Sequence, residues 1–126
     1  MKKFLGIICL LFIVVLAGCK PNTPAQRGYD KIKSDIKDEL IVPDSLKIND
    51  VECYEGIITK YEIGGYAFHY KISYSAKNAL NMDINQLVYY GYDDETGSIK
   101  KYGSDSTKFS SAKNVGKKQN ISKWLV

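Results

Sequence analysis

Hydrophobic and polar residues follow several successive patterns along this 126-residue chain. Two lysines, Lys2 and Lys3, lead into an apolar run from Phe4 to Val15. A polar stretch with two prolines follows at 20–27, and it predicts a short flexible tether. Apolar positions then recur at helical spacing, and from Leu46 onward they alternate with polar positions as in β-strands.

The helical segment has one apolar stripe, formed at spacings of three and four by Tyr29, Ile32, Ile36 and Leu40. Charged residues fill the other side, so the pattern predicts an amphipathic helix of about four turns. Pro43 stops this helix, and 43–45 predicts a turn because Asp and Ser side chains bond nearby backbone amides. An isolated helix of this length is marginal in water, so the stripe must pack on another element.

The alternating segments predict an antiparallel sheet. Strands are expected over 46–55 with a bulge, and over 57–63, 66–74, 84–92 and 98–102. Gly64-Gly65 and the acidic segment 93–97 predict turns, and 75–83 predicts a loop. One helix followed by strands with short connections indicates an α+β fold, with the N-terminal helix packed on a meander of about four to five antiparallel strands.

The apolar run at the N-terminus ends in Leu16-Ala17-Gly18-Cys19. A basic start, an apolar run and small residues before a cut site are typical of a secretory signal peptide. The run 5–17 is too short for a spanning helix, which needs roughly 20 residues. The order Leu, small residue, Gly, Cys resembles the lipobox of bacterial lipoproteins. The resemblance implies cleavage between Gly18 and Cys19, a lipid on Cys19, and anchoring on the extracytoplasmic face of a bacterial cell membrane.

The leader divides the chain into four expected parts. These are a signal peptide at 1–18, a lipidated tether at 19–27, an α+β domain at 28–103, and a basic C-terminal segment at 104–126 that is either docked or loose. Removing the leader leaves 108 residues, the size of one domain, and lowers the net charge from +4 to +2. This near-balance does not favour a polyanion partner, and no nucleic-acid partner is expected outside the cytoplasm.

The titratable residues do not predict catalysis. Cys9 lies in the leader and Cys19 is the expected lipid site, so Cys53 has no partner for an internal disulfide. We expect Cys53 to be buried in a strand, where it packs as a small hydrophobic side chain. The single histidine, His69, is expected to be half-exposed on the polar face of strand 66–74. One histidine and one thiol do not make a zinc set, and 93–97 lacks the spacing of a calcium loop. We therefore predict no catalytic residue, no metal site and no cofactor.

Ten tyrosines are an excess for a chain of this size. Tyr89 and Tyr90 must point to opposite faces of their strand, so the second face is either covered or binds something. Tyrosine suits contact surfaces because its ring packs while its hydroxyl stays wet. The candidate contact residues lie on this strand and at the end of the preceding strand: Tyr89, Tyr90, Tyr92, Lys77 and Asn78.

A second resemblance covers about a third of the chain. The segment 37–48, with its Pro43-Asp44-Ser45 turn, and the strand end Tyr74-Ser75-Ala76-Lys77-Asn78 are similar to small uncharacterised bacterial lipoproteins and exported proteins. This resemblance supports the order of elements and implies no activity. We expect a small binding or interaction module whose partner is an unknown protein or wall polymer. The alternatives are an envelope enzyme inhibitor, with 75–83 as its contact loop, and a structural envelope protein.

Overall fold

The five strands of the computed structural model, which describes residues 23–56, 66–119 and 121, form one antiparallel sheet. The elements in chain order are helix α1 (Pro24–Glu39), a 3-10 turn (Pro43–Ser45), strands β1 (Lys47–Glu55), β2 (Phe68–Lys77), β3 (Asp83–Asp93) and β4 (Ser98–Gly103), helix α2 (Thr107–Val115) and strand β5 (Lys117–Gln119). The strand order is β4-β3-β2-β1-β5. The predicted α+β fold, with an N-terminal helix on an antiparallel sheet, is confirmed.

Helix α1 begins at a well-formed N-terminus. The Thr23 hydroxyl accepts a hydrogen bond from the Gln26 N–H at 3.1 Å, and Pro24 occupies the first turn, where no N–H is needed. Residues 24–27, which the sequence pattern assigned to the tether, are therefore the first turn of the helix. No helix among the described residues is long and apolar enough to cross a membrane.

The main core lies between α1 and one face of the sheet. The helix contributes Tyr29, Ile32 and Ile36, each at most 2% exposed. The sheet contributes alternating side chains from three neighbouring strands: Val51, Cys53, Phe68, Tyr70, Ile72, Val88, Tyr90 and Tyr92. The expected pairing of one apolar helical stripe with one strand face accounts for this layer.

The C-terminal segment is docked over its described part. Helix α2 packs on the second face of the sheet, where Phe109 meets Tyr54 edge-on at 5.5 Å between ring centroids. Strand β5 then pairs with β1, and Ile121 is buried in the main core. The domain therefore does not end at 103, because α2, β5 and Ile121 all belong to its packing.

The strands agree with the pattern at one place and depart from it at another. The expected bulge in β1 is present and falls between Ile48 and Asp50. Strand β2 continues to Lys77, which shortens the predicted loop 75–83 to the residues 78–82. The predicted strand 57–63 and its Gly64-Gly65 turn lie outside the described residues.

Candidate functional site

The tyrosines of β3 are core residues rather than contact residues. Tyr90 and Tyr92 are at most 2% exposed beneath α1, and Tyr89 is 9% exposed beneath α2. The Tyr90 hydroxyl donates to Asp35 Oδ2 at 2.8 Å, and the Tyr92 hydroxyl donates to Asp94 Oδ1 at 2.7 Å. The prediction that these three rings form a contact surface is wrong, because both faces of this part of the sheet are covered by helices.

The acidic turn between β3 and β4 is hydrogen-bonded to side chains from the first half of α1. Arg27 donates from Nε and Nη2 to the two carboxylate oxygens of Asp94, at 3.0 and 2.8 Å. These hydrogen bonds from Arg27 hold the pKa of the Asp94 carboxyl down at about 2. Lys31 also reaches this turn and donates to the Gly97 carbonyl at 2.6 Å. Within the described ranges, no three His, Cys, Asp or Glu side chains are placed to share a metal ion.

His69 is fully buried, which corrects the expectation of a half-exposed histidine. Its Nε2 lies 2.8 Å from the Tyr66 carbonyl oxygen, and its ring stacks on Tyr102 with centroids 6.1 Å apart. Burial lowers the pKa of the imidazole to about 4, so the ring is neutral near pH 7. The sequence pattern placed His69 on the correct face but did not reveal that the C-terminal helix packs over that face.

Cys53 is a buried free thiol in the main core, as predicted. Its burial raises the pKa of the thiol, so little thiolate forms at neutral pH. Cys53 and His69 point to opposite faces of the sheet, since the register pairs Cys53 with Tyr70 and Tyr54 with His69. The two side chains are therefore not arranged as a nucleophile and its base.

An exposed apolar patch lies at the end of the sheet opposite the β3–β4 turn. We define this patch by Ile41, Leu80, Met82 and Ile84, which are 70%, 75%, 52% and 36% exposed. Ile41 follows the C-terminus of α1, Leu80 and Met82 lie in the β2–β3 loop, and Ile84 is the second residue of β3. The sequence pattern missed this patch, although apolar residues inside the predicted loop 75–83 were its visible signal.

A groove of about 230 Å³ adjoins this patch on the α1 side of the sheet. The groove exists because α1 ends at Glu39 while β2 and β3 continue beyond it. Its walls combine apolar side chains with a few polar groups: Glu39, Leu40, Ile41, Tyr74, Ala76, Lys77, Asn78, Ile84 and Gln86. Two of the predicted candidates, Lys77 and Asn78, are thus placed at the groove.

The β2–β3 loop is held in one shape by Asn78. The Asn78 Oδ1 accepts the backbone N–H groups of Leu80 and Met82 at 2.9 and 3.0 Å. Asn81 adopts a φ of 60°, a left-handed conformation that asparagine tolerates better than most residues. The Asn78 side chain therefore stabilises the conformation of its own loop, and this loop carries the exposed Leu80.

The first half of β3 is paired on one side within the described part of the chain. Strand β2 pairs with β3 from Asp83 to Tyr92, whereas β4 pairs with it only from Tyr89 to Asp93. Strand β4 ends at Gly103, whose φ of 62° turns the chain away. No described residue therefore pairs with the outer edge of residues 83–88, which lies beside the groove.

The lipid-site residues Gly18 and Cys19 lie outside the described residues, so lipid attachment remains a prediction. Comparisons of the chain with protein-family models, with curated proteins and with solved structures found no match.

Proposed function

We propose that this protein is a lipid-anchored module on the extracytoplasmic face of a bacterial membrane, and that it binds another envelope component through its apolar patch. One observation carries the proposal: Ile41, Leu80 and Met82 are each more than half exposed at the same end of the sheet. Single exposed apolar residues are ordinary, but a cluster beside a groove is typical of an interaction site. Binding residues are also often carried by loops on a rigid scaffold.

The position of α1 supports this arrangement. Cys19 precedes the N-cap Thr23 by four positions, so a lipid on Cys19 would hold the start of α1 close to the membrane. The 16-residue helix is about 24 Å long, and the patch lies beyond its far end. The anchor and the patch would then sit at opposite ends of the domain, with the patch turned toward other envelope components.

The anchor is tested by the variant Cys19→Ala in cells fed an alkyne-tagged fatty acid. We expect the variant to lose the label and to stay uncut, because the thiol that takes the lipid is gone. Cys9→Ala and Cys53→Ala are the matched controls, and both should retain the label. A labelled Cys19→Ala protein would contradict the anchor.

The contact surface is tested by a photo-crosslinking amino acid placed at Leu80 or at Ser110 of the full chain in its native cells. Ser110 is the control because it is exposed on α2, away from the patch. We expect a defined cross-linked product from position 80 and none from position 110. Equal products from both positions, or none from position 80, would contradict a contact at the patch.

A second function, an envelope enzyme inhibitor, is favoured by the loop itself. The two hydrogen bonds to Asn78 Oδ1 hold a loop whose tip residue Leu80 is 75% exposed, and inhibitors use such preformed loops. In this case the product from position 80 would contain an envelope enzyme, and Leu80→Asp would restore that enzyme's activity. A non-enzymatic partner would favour the first proposal.

A further inference from the structure

Among the described residues, no element covers the outer edge of β3 over 84–88, and the charge of Asp83 stands only at the start of that edge. Natural sheets protect their edges with charges, prolines, bulges or covering elements. The segment 84–88, Ile-Asn-Gln-Leu-Val, contains neither a charge nor a proline. Ile84 and Leu87 are 36% and 44% exposed on opposite faces of the strand. Such an edge is suited to pairing with a further strand.

The hydrogen-bond alternation identifies the main-chain groups that point outward. The Asn78 N–H donates to the Met82 carbonyl at 2.9 Å, so this pair is hydrogen-bonded across the β2–β3 hairpin. Hydrogen-bonded and non-bonded pairs alternate along antiparallel strands, and the β2–β3 register runs without a shift. Residues 84, 86 and 88 therefore bond to β2, while Asn85 and Leu87 direct their N–H and C=O groups to the open edge.

The charges beside the groove are matched to one another. Lys77 Nζ lies 3.3 Å from Asp83 Oδ1, and Lys101 is paired with Glu39. A charged occupant would have to displace one of these pairs or remain unpaired next to it. An occupant that complements this surface is therefore uncharged, with apolar side chains for the groove.

We propose that the β3 edge binds an extended, uncharged peptide segment by strand addition. The main chain of the peptide pairs with Asn85 and Leu87, and its alternate side chains enter the groove beside Ile84. A second copy of this chain fits less well, since pairing two β3 edges antiparallel would bring the 78–82 loop of one copy against β4 of the other. The inference rests on the proposed function and specifies how the partner of that surface is held.

The test uses the full chain, labelled with ¹⁵N in detergent micelles, and three synthetic heptapeptides. The first alternates Thr and Val, the second contains the same residues in two blocks, and the third alternates Lys and Val. We expect the first peptide to slow hydrogen exchange at the Asn85 and Leu87 amides by about tenfold, because both amides become hydrogen-bonded. The other two peptides should leave these rates unchanged.

Two variants separate main-chain pairing from side-chain contact. Asn85→Pro removes an outward N–H and spares the main-chain hydrogen bonds to β2, whereas Asn85→Ala keeps that N–H. Both variants lose the hydrogen bond that Asn85 Oδ1 accepts from the Ser75 hydroxyl on β2, so this loss cancels in the comparison. We expect Asn85→Pro to bind the Thr–Val peptide about tenfold more weakly and Asn85→Ala to bind it like the parent chain. Leu87→Pro, which removes the second outward N–H, takes the place of Asn85→Pro if thermal unfolding shows that the latter does not fold.

Equal binding by the proline and alanine variants would overturn strand addition, and so would a lack of protection at Asn85 and Leu87. Peptide-induced shifts limited to Leu80 and Met82 would also overturn it while supporting the patch as a contact surface. The cross-link from position 80 reports on the proposed function independently of these peptides. A positive cross-link with negative peptide results thus rejects the inference alone, and a negative cross-link rejects the proposed function.

Discussion

The two helices that cover the faces of the sheet differ in length, in N-terminal capping and in the number of side chains that they help to bury. Helix α1 has 16 residues, a hydrogen-bonded N-cap, and a place in a cluster of 13 buried side chains among the described residues. Helix α2 has nine residues, no side-chain hydrogen bond at its N-cap, and a cluster of four. The first face is thus the main core, while the second is a smaller layer that shields His69 and Tyr89. Mutations on the α1 face should therefore lower the free energy of unfolding more than equivalent mutations on the α2 face.

The largest effect is expected from Ile32→Ala. Ile32 is fully buried in the middle of the α1 stripe, and its truncation leaves a cavity between the helix and the sheet. We expect the free energy of unfolding to fall by about 4 kcal/mol, measured by denaturant titration. Ser34→Ala, an exposed change on the same helix, is the control and should change stability by less than about 0.5 kcal/mol.

Phe109→Ala should lower the free energy of unfolding by about 3 kcal/mol, because this ring is the largest side chain that α2 buries. We expect a smaller loss than for Ile32→Ala, because the α2 cluster contains fewer buried side chains than the main core. The same change loosens the cover over His69. We therefore expect the pKa of His69 to rise from about 4 toward its ordinary 6.5, followed by NMR titration of the imidazole. A pKa that stays near 4 in this variant would show that α2 is not the cover.

Acidification should destabilise the protein through His69. The pKa of this imidazole is about 4 in the folded state, below its ordinary value of 6.5, because burial disfavours the charged ring. As the pH falls below 6.5 the unfolded state binds a proton first, so stability is lost between pH 6.5 and 4. We expect this histidine to cost about 2 kcal/mol at pH 5 relative to pH 7. His69→Gln should remove that part of the pH dependence, and an unchanged slope would contradict the assignment.

Gly28→Ala tests how closely α1 approaches the sheet. A Cβ at this position would overlap the Tyr70 hydroxyl and the Tyr92 ring, so one of these side chains must shift. Overpacking of this kind outweighs the better helix propensity of alanine, and we expect a net loss of about 1.5 kcal/mol. Calorimetry checks the change, and a more stable variant would mean that the helix can move outward without cost.

The smallest effect is expected from Tyr90→Phe. This change removes the hydrogen bond to the partly exposed Asp35, and we expect a loss of about 1 kcal/mol in denaturant titrations. Tyr89→Phe is the matched control on the α2 face, since the Tyr89 hydroxyl has no hydrogen bond to any described residue. A larger loss for Tyr89→Phe than for Tyr90→Phe would reverse the ranking of the two faces.

The elements that were predicted well depend on short-range spacing. The α1 stripe, the bulge in β1 and the alternation in β2 arise from residues two to four positions apart, so the pattern alone revealed them. The start of α1 was missed because Thr23 and Pro24 act as capping residues inside a stretch whose prolines also suit a tether. Helix α2 was missed because its buried side consists only of Phe109 and Ala112, which is too short a stripe to stand out.

The contact residues were predicted poorly because burial depends on distant parts of the chain. Tyr90 and Tyr92 were candidate contact residues in the sequence, but both rings are buried beneath α1, and their hydroxyls donate to Asp35 and Asp94. Lys77 and Asn78, predicted as contact candidates at a strand exit, lie at the groove, and their contact role stays a prediction. The tertiary structure adds that Lys77 forms a salt bridge with Asp83 and that the Asn78 side chain accepts backbone N–H groups of the loop.

By itself the sequence determined the α+β class, the helix-before-strands order and the burial of Cys53, and it predicts a lipid on Cys19. These features depend on local spacing and on a contiguous motif. Only the tertiary structure decided that both tyrosine faces are covered and that Ile41, Leu80 and Met82 stay outside. The physical reason is that exposure depends on where other elements end: α1 ends at Glu39 and β4 at Gly103, and neither covers the start of β3.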